Sequence, residues 1–274
     1  MSTTMQFNQE FVDKGVVITG AAGVFGRWIT AAFAREGARL CLSDKRIEEL
    51  DKLVDELGLD RAKTILHQTE LTEEASILDL TKQVKDAWGA PYAVVNNAGI
   101  YPRCQLLDLS TEDWDQMFDV NLRAPFLVSR EMARLMVTAG VKGSFVNISS
   151  GGVRQMRTGG VPYGTSKTAL ERFTKGLALE LAPYGIRANV VEPGFAPGSA
   201  VANLHEDYVK KMADRIPLGR TSGPDDAPTA ILYLSSKSAS FITGAVLSVD
   251  GGNSIGTYEP GILSSVIVPM QPQK

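Results

Sequence analysis

Short apolar stretches alternate with amphipathic segments along most of the chain. The apolar stretches are rich in valine, isoleucine and leucine, which is typical of strands buried on both faces. In chain order they are VVIT, ARLCLSD, AKTILHQ, YAVV, SFVNIS, GIRANVV and the last part of ASFITGAVLSVDGG. Between these stretches lie segments in which apolar residues recur at helical spacing, and we predict helices there. They are RWITAAFAREG, KRIEELDKLVDEL, 72–88, 110–136 (one long helix or a pair), TALERFTKGLALELA and IPLGRTSGPDDAPTAILYLSS. This alternation predicts an α/β chain with a single doubly wound parallel sheet flanked by helices.

The composition is that of an ordinary globular protein, with 44% apolar residues, 22% charged residues and a formal net charge of −3. That charge gives no electrostatic reason to expect a nucleic acid or an anionic membrane as a partner. The N-terminus lacks the cationic start and apolar core of a signal peptide, and no apolar run approaches the ~18 residues that span a bilayer. We therefore expect a cytoplasmic protein that binds neither nucleic acid nor membrane. The 2 cysteines and 2 histidines are too isolated to predict a disulfide or a metal site.

The clearest candidate chemistry lies just before the segment TALERFTKGLALELA. Tyr163 and Lys167 are four residues apart, so their side chains share one face of a helix. A free tyrosine has a pKa near ~10 and is a poor base at neutral pH, but a nearby cation favours the phenolate. Ser150 follows the predicted strand SFVNIS and is placed to offer a hydroxyl to the same reacting oxygen. In isolation such a pair is more often a surface lysine beside a half-buried tyrosine. The upstream serine and the nucleotide-binding pattern near the N-terminus favour catalysis here.

A glycine-rich turn, GAAGVFG, follows the first strand and precedes the first helix. In that position glycines let backbone N–H groups approach a pyrophosphate, and the helix N-terminus adds partial positive charge. We predict a dinucleotide cofactor at this turn, contacted by Gly20, Gly23, Phe25 and Gly26. The alternative is a plain tight turn without a ligand.

Asp44 ends the second strand, some two dozen residues beyond Gly20. An acidic side chain at that point accepts hydrogen bonds from the ribose hydroxyls and repels the 2′-phosphate of NADP, so it favours NAD as the cofactor. Lys45 and Arg46 follow directly and would soften that preference by turning toward the ribose. The alternative role for Asp44 is a cap for the next helix.

These patterns together resemble the short-chain dehydrogenase/reductase family. The glycine turn, the NNAG sequence at 96–99, the set of Ser150, Tyr163 and Lys167, and the Pro-Gly pair at 193–194 carry the resemblance. It covers a single domain at 11–252, with an extension at each end (1–10 and 253–274). The resemblance implies seven strands in the order 3-2-1-4-5-6-7, a homotetramer, and hydride transfer between a nicotinamide cofactor and an alcohol or ketone.

The resemblance also implies roles for individual residues. Tyr163 would act as general base on the alcohol or as acid to the ketone, and Ser150 would position the substrate oxygen. Lys167 would lower the pKa of Tyr163 and hold the nicotinamide ribose. Asn121 would hold a water on a proton path, although it also fits a polar residue at a helix bend. Further cofactor contacts are implied at Glu70, Leu71, Asn97, Gly99 and Gly194. A threonine that binds the carboxamide in many members is replaced here by Gly198, next to Ser199.

The substrate is predicted from the loops that should cover the carboxyl ends of the strands. Their candidate lining residues are Tyr101, Arg103, Val153, Met156, Phe195, Tyr208 and Met212. This mixture indicates a medium-sized, partly apolar alcohol or ketone, cyclic or aromatic, with Arg103 or Arg154 available for a polar end. Ordinary packing of a lid is the alternative.

Two other functions stay open at this point. One is an NADP-dependent reductase of 3-oxoacyl thioesters on an acyl carrier, which needs a basic docking surface that Arg130 and Arg134 supply only in part. The other is a catalytically silent dinucleotide sensor. A sensor has no need of proton-transfer groups, so the set of Ser150, Tyr163 and Lys167 favours an enzyme.

Overall fold

The computed structural model describes residue 7 and residues 9–198 and 205–258. Within these residues the chain forms seven strands and eight α-helices. The strands are β1 (Gly15–Thr19), β2 (Arg39–Asp44), β3 (Thr64–Gln68), β4 (Ala93–Asn96), β5 (Ser144–Ile148), β6 (Arg187–Pro193) and β7 (Val246–Val249). The helices are α1 (Val24–Arg35), α2 (Ile47–Leu57), α3 (Glu74–Trp88), α4 (Thr111–Phe118), α5 (Ala124–Ala139), α6 (Val161–Leu181), α7 (Glu206–Ala213) and α8 (Asp226–Ser235).

All seven strands pair in parallel, in the order β3-β2-β1-β4-β5-β6-β7. This order confirms the predicted doubly wound sheet. The direction of winding reverses between β1 and β4, and in such sheets a crevice opens there at the carboxyl ends of the strands. The turns after β1, β2, β4 and β5 therefore meet at one edge.

Alternate residues of each strand supply two cores, one on each face of the sheet. Val16 and Ile18 of β1 pack with Phe33 on the face covered by α1, α2 and α8. Val17 packs with Phe145 on the face covered by α3, α5 and α6. Because side chains alternate along a strand, a strand with both faces buried must be apolar throughout. This is why the apolar runs of the sequence locate the strands.

Two predicted helices have different boundaries in the structure. The segment predicted as one helix or a pair at 110–136 is a pair, with α4 and α5 joined by a π-helical turn at Asp119–Arg123. Ser110 caps α4, since its hydroxyl accepts a hydrogen bond from the Asp113 amide at 3.0 Å. α3 begins at Glu74 rather than at Thr72, and the Thr72 hydroxyl instead donates to a carboxylate before the helix.

The described parts of both predicted extensions contact the domain. Phe7 is buried in the core, and Glu10 accepts hydrogen bonds from the Tyr92 hydroxyl at 2.8 Å and the Lys237 amide at 2.6 Å. Ser254, at the other end, is also buried. Residues 259–274 lie outside the described part of the chain. No helix of the described segments combines the length and apolar character that a membrane crossing requires.

Candidate active site

The turn between β1 and α1 is shaped to admit a phosphate. Gly20 has a φ of +63°, and a Cβ there would lie 2.7 Å from the Ala98 Cα. A Cβ on Gly26 would lie 2.2 Å from the Gly20 carbonyl oxygen. α1 follows Gly23, and its first turn has neither a side-chain cap nor an acidic residue. Its N–H groups are therefore left for an anion, and a dinucleotide pyrophosphate fits this turn.

Phe25 is the second residue of α1. Its ring packs edge-on against Trp28, with the ring centroids 5.3 Å apart, and against the core below. Because the ring is engaged in packing, the backbone N–H is the group of Phe25 that remains suited to the predicted cofactor contact. Val24, at the position where the family pattern has a glycine, is the first residue of the helix.

Asp44 is nearly buried at the end of β2. One carboxylate oxygen accepts a hydrogen bond from the Ala22 amide of the glycine turn at 3.1 Å. The other accepts from both the amide and the Nε of Arg46, each at 3.1 Å. The carboxylate thus holds the glycine turn to β2, and Arg46 turns toward it. Asp44 is not the side-chain cap of α2, because the residue at the cap position is Arg46 itself.

The NNAG sequence ties the turn after β4 to the glycine turn. The Asn97 side chain donates to the carbonyl oxygens of Thr19 and Gly20, both at 3.0 Å. The Thr19 hydroxyl accepts hydrogen bonds from the backbone amides of residues 97 and 98. A Cβ on Gly99 would lie 3.2 Å from the Lys167 Nζ and 3.3 Å from the Asn121 Oδ1. A side chain at 99 would therefore press on both of these groups.

Other predicted cofactor contacts lie at the same edge. Glu70 is exposed and Leu71 packs against the core below β3. Gly194 is pressed against the turn after β7, since a Cβ there would lie 2.9 Å from the Asp250 Cα. Ser199, next to the position of the missing threonine, lies outside the described residues.

The structure brings Ser150, Tyr163 and Lys167 together where β5 ends and α6 begins. Lys167 is 4% exposed, and its Nζ donates to the Ile148 carbonyl oxygen at 2.8 Å. The same Nζ lies 6.0 Å from the centroid of the Tyr163 ring. Ser150 begins the turn after β5, where its hydroxyl accepts a hydrogen bond from the Gly152 amide at 3.1 Å.

Burial controls the ionisation of both groups of the pair. It raises the pKa of the Tyr163 phenol, and the hydrogen bond with Ser150 opposes this rise only in part. It also lowers the pKa of Lys167 to about 8. Desolvation of the phenolate thus outweighs the effect of its neighbours and raises the net pKa of Tyr163, and the lowering contribution expected from Lys167 stays a prediction. The resting form of Tyr163 at neutral pH is the phenol.

Asn121 lies in the π-helical turn between α4 and α5 and is fully buried. Its amide nitrogen donates to the Ile100 carbonyl oxygen at 2.8 Å and the Ser166 hydroxyl at 3.2 Å, and its oxygen accepts from the Ile100 amide at 2.9 Å. Single π turns inside helices are frequent at functional sites. In this π-helical turn the Asn121 side chain is hydrogen-bonded to Ile100 and so holds the loop after β4.

The predicted substrate-lining residues fall into two groups. Tyr101 lies edge-on to Tyr163, with ring centroids 6.1 Å apart, and Val153 is half-buried in the Ser150 turn. Phe195 and Tyr208 form a second edge-on pair at 6.4 Å. The first group adjoins the reacting phenol directly.

The remaining predicted lining residues differ in exposure. Met156 is 58% exposed and covers Gly164 at the start of α6, and Arg103 is exposed in the facing loop. Met212 is buried and serves as packing for α7. Arg154 was predicted to be available for a polar end of the substrate. In the structure it is instead paired with Glu192, with a nitrogen–oxygen distance of 3.0 Å.

Sequence reasoning missed that Glu192 partner and the nearby Glu171. The available signal was a glutamate near the end of an apolar strand, just before the Pro-Gly pair. A buried carboxylate requires a partner, and the strand position made burial predictable. Which residue supplies the partner depends on tertiary structure.

Comparison with known proteins places this chain among oxidoreductases. Residues 20–254 match the model of a family described as enoyl-(acyl carrier protein) reductase. The chain is 36% identical over 239 residues to a 3-oxoacyl-[acyl-carrier-protein] reductase of Thermotoga maritima, covering 87% of this chain and 97% of the relative. It is 34% identical over 241 residues to a 3alpha-hydroxysteroid dehydrogenase of Mediterraneibacter gnavus, covering 87% and 96%. The crystal structure of a short-chain type dehydrogenase/reductase from Mycobacterium marinum superimposes with a TM-score of 0.81 at 28% identity, covering 90% of this chain and 98% of that chain.

Proposed function

The chain belongs to the short-chain dehydrogenase/reductase family of oxidoreductases that act on CH–OH groups, and on that premise we propose that it interconverts a secondary alcohol and a ketone with NAD. The observation that carries the proposal is the meeting of Tyr163, Lys167 and Ser150 at one edge of the sheet. The uncapped N-terminus of α1 lies at the same edge. Dehydrogenation needs a group that takes the hydroxyl proton and a cofactor that takes the hydride, and this edge has a place for both.

Proton transfer is the part of the reaction that the chain's own residues perform. In ketone reduction the Tyr163 phenol donates its proton to the substrate oxygen, and in alcohol oxidation the phenolate accepts one. Ser150 positions that oxygen by a hydrogen bond, and the Lys167 ammonium stabilises the phenolate and reaches the nicotinamide ribose. Hydride acceptance or donation is the chemistry that the bound nicotinamide supplies. Because burial raises the Tyr163 pKa, we expect the oxidation rate to rise with pH.

The water-holding role that the resemblance implies for Asn121 stays part of this proposal. Its side-chain amide is hydrogen-bonded to Ile100 and Ser166. Asn121 thereby also keeps the loop before Tyr101 in place. This fixes the position of the loop that leads to Tyr101 relative to Lys167.

The activity is tested by measuring NADH and NADPH formation across aliphatic, cyclic and aryl secondary alcohols. We expect turnover with at least one cyclic or aryl alcohol, and faster turnover with NAD than with NADP. NAD binding without turnover on any alcohol or ketone would contradict the proposal and favour the sensor.

The NAD preference rests on Asp44, and Asp44→Ala tests it. The variant would lose the charged hydrogen bonding of this carboxylate to the ribose hydroxyls. A net loss equal to one charged hydrogen bond, about 1.5–3 kcal/mol, should raise the Kd for NAD by ~10- to 100-fold. Arg46 would be released from its ion pair at the same time and become available to a 2′-phosphate. The Kd for NADP should therefore fall or stay unchanged. Parallel calorimetric titrations of the two cofactors measure the ratio, and equal weakening of both would contradict the assignment.

The proposed substrate is medium-sized, partly apolar, and cyclic or aromatic. Its support is the aromatic wall that Tyr101 forms beside Tyr163, together with the partly exposed Met156. A relative named for a hydroxysteroid, a polycyclic secondary alcohol, is consistent with this class. The second candidate is a 3-oxoacyl thioester, favoured by the relative from Thermotoga maritima. Competition between a cyclic ketone and a 3-oxoacyl thioester for reduction separates the two.

We also propose that the chain acts as a homotetramer in the cytoplasm. The support for assembly is an apolar groove of about 620 Å³ between α5 and α6, away from the catalytic edge, lined by Phe126, Val137, Phe173 and Leu177 among others. Light scattering should give four times the 29.5 kDa mass of one chain. A single-chain mass at micromolar concentration would contradict this.

A further inference from the structure

A buried carboxylate lies directly behind the Ser150 turn. Glu192, at the end of β6, is fully buried. Its carboxylate accepts hydrogen bonds from the Nε and a terminal nitrogen of Arg154, at 3.1 and 3.0 Å, and from the Ser248 hydroxyl of β7. Arg154 completes the turn, since its amide donates to the Gly151 carbonyl oxygen at 3.1 Å. Glu192 thus ties the Ser150 turn to the ends of β6 and β7.

A second carboxyl group reaches the same point from α6. Glu171 accepts a hydrogen bond from the Ser149 hydroxyl at 2.7 Å and lies within hydrogen-bonding reach of Glu192. Burial raises the pKa of Glu171, the hydrogen bond from Ser149 lowers it, and the neighbouring Glu192 raises it further. Two carboxyl groups here face the single guanidinium of Arg154, so a proton retained between them leaves no uncompensated negative charge.

Asp250, in the turn after β7, is the other acid near Arg154. Its two oxygens accept hydrogen bonds from the amides of Gly252 and Ser254, both at 2.9 Å. Backbone amides of its own turn thus supply the hydrogen bonds that the Asp250 carboxylate requires. Glu192 remains the group that anchors Arg154.

We propose that Glu192, acting through Arg154, is a positioning residue that holds the Ser150 turn in its catalytic geometry. The inference rests on the proposed function, because it concerns how Ser150 is placed against the substrate oxygen. Loss of the Glu192 charge releases Arg154 and lets the turn relax. Deprotonation of Glu171 at high pH leaves two carboxylates side by side and has the same effect.

The variant Glu192→Gln removes the charge with little change of shape. We expect kcat for ketone reduction to fall about tenfold, with a smaller change in KM, since misplacement of a catalytic group by less than an ångström lowers turnover. The loss should largely disappear when Ser150→Ala is the background, because residues that act through one another are not additive. Arg154→Met should give the same loss, and Arg154→Lys should recover part of the activity. Asp86→Asn, which breaks an exposed ion pair of α3, is the matched control and should leave kcat unchanged.

The variant Glu171→Gln tests the shared proton. Its amide reproduces the protonated carboxyl, since the oxygen still accepts from Ser149 and the nitrogen donates to Glu192. A carboxyl whose folded pKa is raised destabilises the fold once the pH exceeds its unfolded pKa of 4.5, so the melting advantage of the variant over the wild type should be larger at alkaline pH than near pH 4. The reduction rate of the variant should also decline less than that of the wild type as the pH rises.

Additive effects of Glu192→Gln and Ser150→Ala, or wild-type kinetics of Glu192→Gln, would overturn the positioning role. Equal melting shifts of Glu171→Gln at both pH values would overturn the shared proton. Absence of any alcohol or ketone turnover in the wild type is a failure of the proposed function instead. The melting comparison needs no turnover and still gives a result in that case.

Discussion

Tyr163→Phe should lower kcat for alcohol oxidation by about 10³-fold, the range expected for loss of a general acid–base group. The substitution removes one hydroxyl and keeps the ring that packs against Tyr101. NAD affinity should change by no more than about twofold, because one neutral hydrogen bond contributes little to the binding free energy of NAD. Steady-state NADH formation and calorimetric titration of NAD measure the two quantities.

Tyr184→Phe is the matched control for that experiment. Tyr184 follows the same helix, α6, and is 53% exposed, so loss of its hydroxyl should leave both quantities unchanged. A Tyr163→Phe enzyme that keeps more than about a tenth of wild-type kcat would contradict the assigned acid–base role.

Lys167→Met should abolish turnover and at the same time stabilise the fold at neutral pH. Burial lowers the pKa of Lys167 from 10.5 to about 8, and this difference corresponds to roughly 3 kcal/mol at 1.36 kcal/mol per pKa unit. The methionine removes that penalty but leaves the Ile148 carbonyl oxygen unpaired, at a cost of about 1–3 kcal/mol. The net gain is therefore about 1 kcal/mol, or a rise of a few degrees in Tm.

The gain should depend on pH with a definite sign. Between pH 8 and 10.5 the unfolded lysine binds more protons than the folded one, so wild-type stability rises with pH in that window. The Tm advantage of Lys167→Met should accordingly be largest near pH 6 and shrink toward pH 10. Lys175→Met, at an exposed position of α6, should show no such trend. A Lys167→Met protein that is less stable than wild type at pH 6 would contradict the buried-charge account.

The fold could be predicted from sequence because its determinants are local. The pattern of each segment indicates a single structural role: a strand for Val16 to Thr19, a tight turn for the glycines, and a helix for the amphipathic segment that follows. These roles are consistent with one another. The start of α3 was wrong because Thr72 has a competing hydrogen-bond partner two residues upstream.

The site was predictable only in part. Tyr163 and Lys167 were found because their spacing fixes their relative position on a helix. The commitment of Asn121 to Ile100, and the pairing of Arg154 with Glu192, join residues that are 21 and 38 positions apart. Such pairings depend on how the turns meet at the sheet edge, which spacing does not encode. The net direction of the Tyr163 pKa was missed for the same reason, since burial is a property of the assembled site.

Transfer of deuterium to a ketone from NADH that carries deuterium at both C4 positions tests the central claim most directly. The protein would be incubated with the labelled cofactor and a panel of cyclic, aromatic and aliphatic ketones together with a 3-oxoacyl thioester, and the products analysed by mass spectrometry. We predict that a cyclic or aromatic ketone yields a secondary alcohol with one deuterium on the carbinol carbon, and that Tyr163→Phe abolishes this product. Bound NADH with no deuterium transferred to any member of the panel would contradict the assignment of the chain as an alcohol–ketone oxidoreductase.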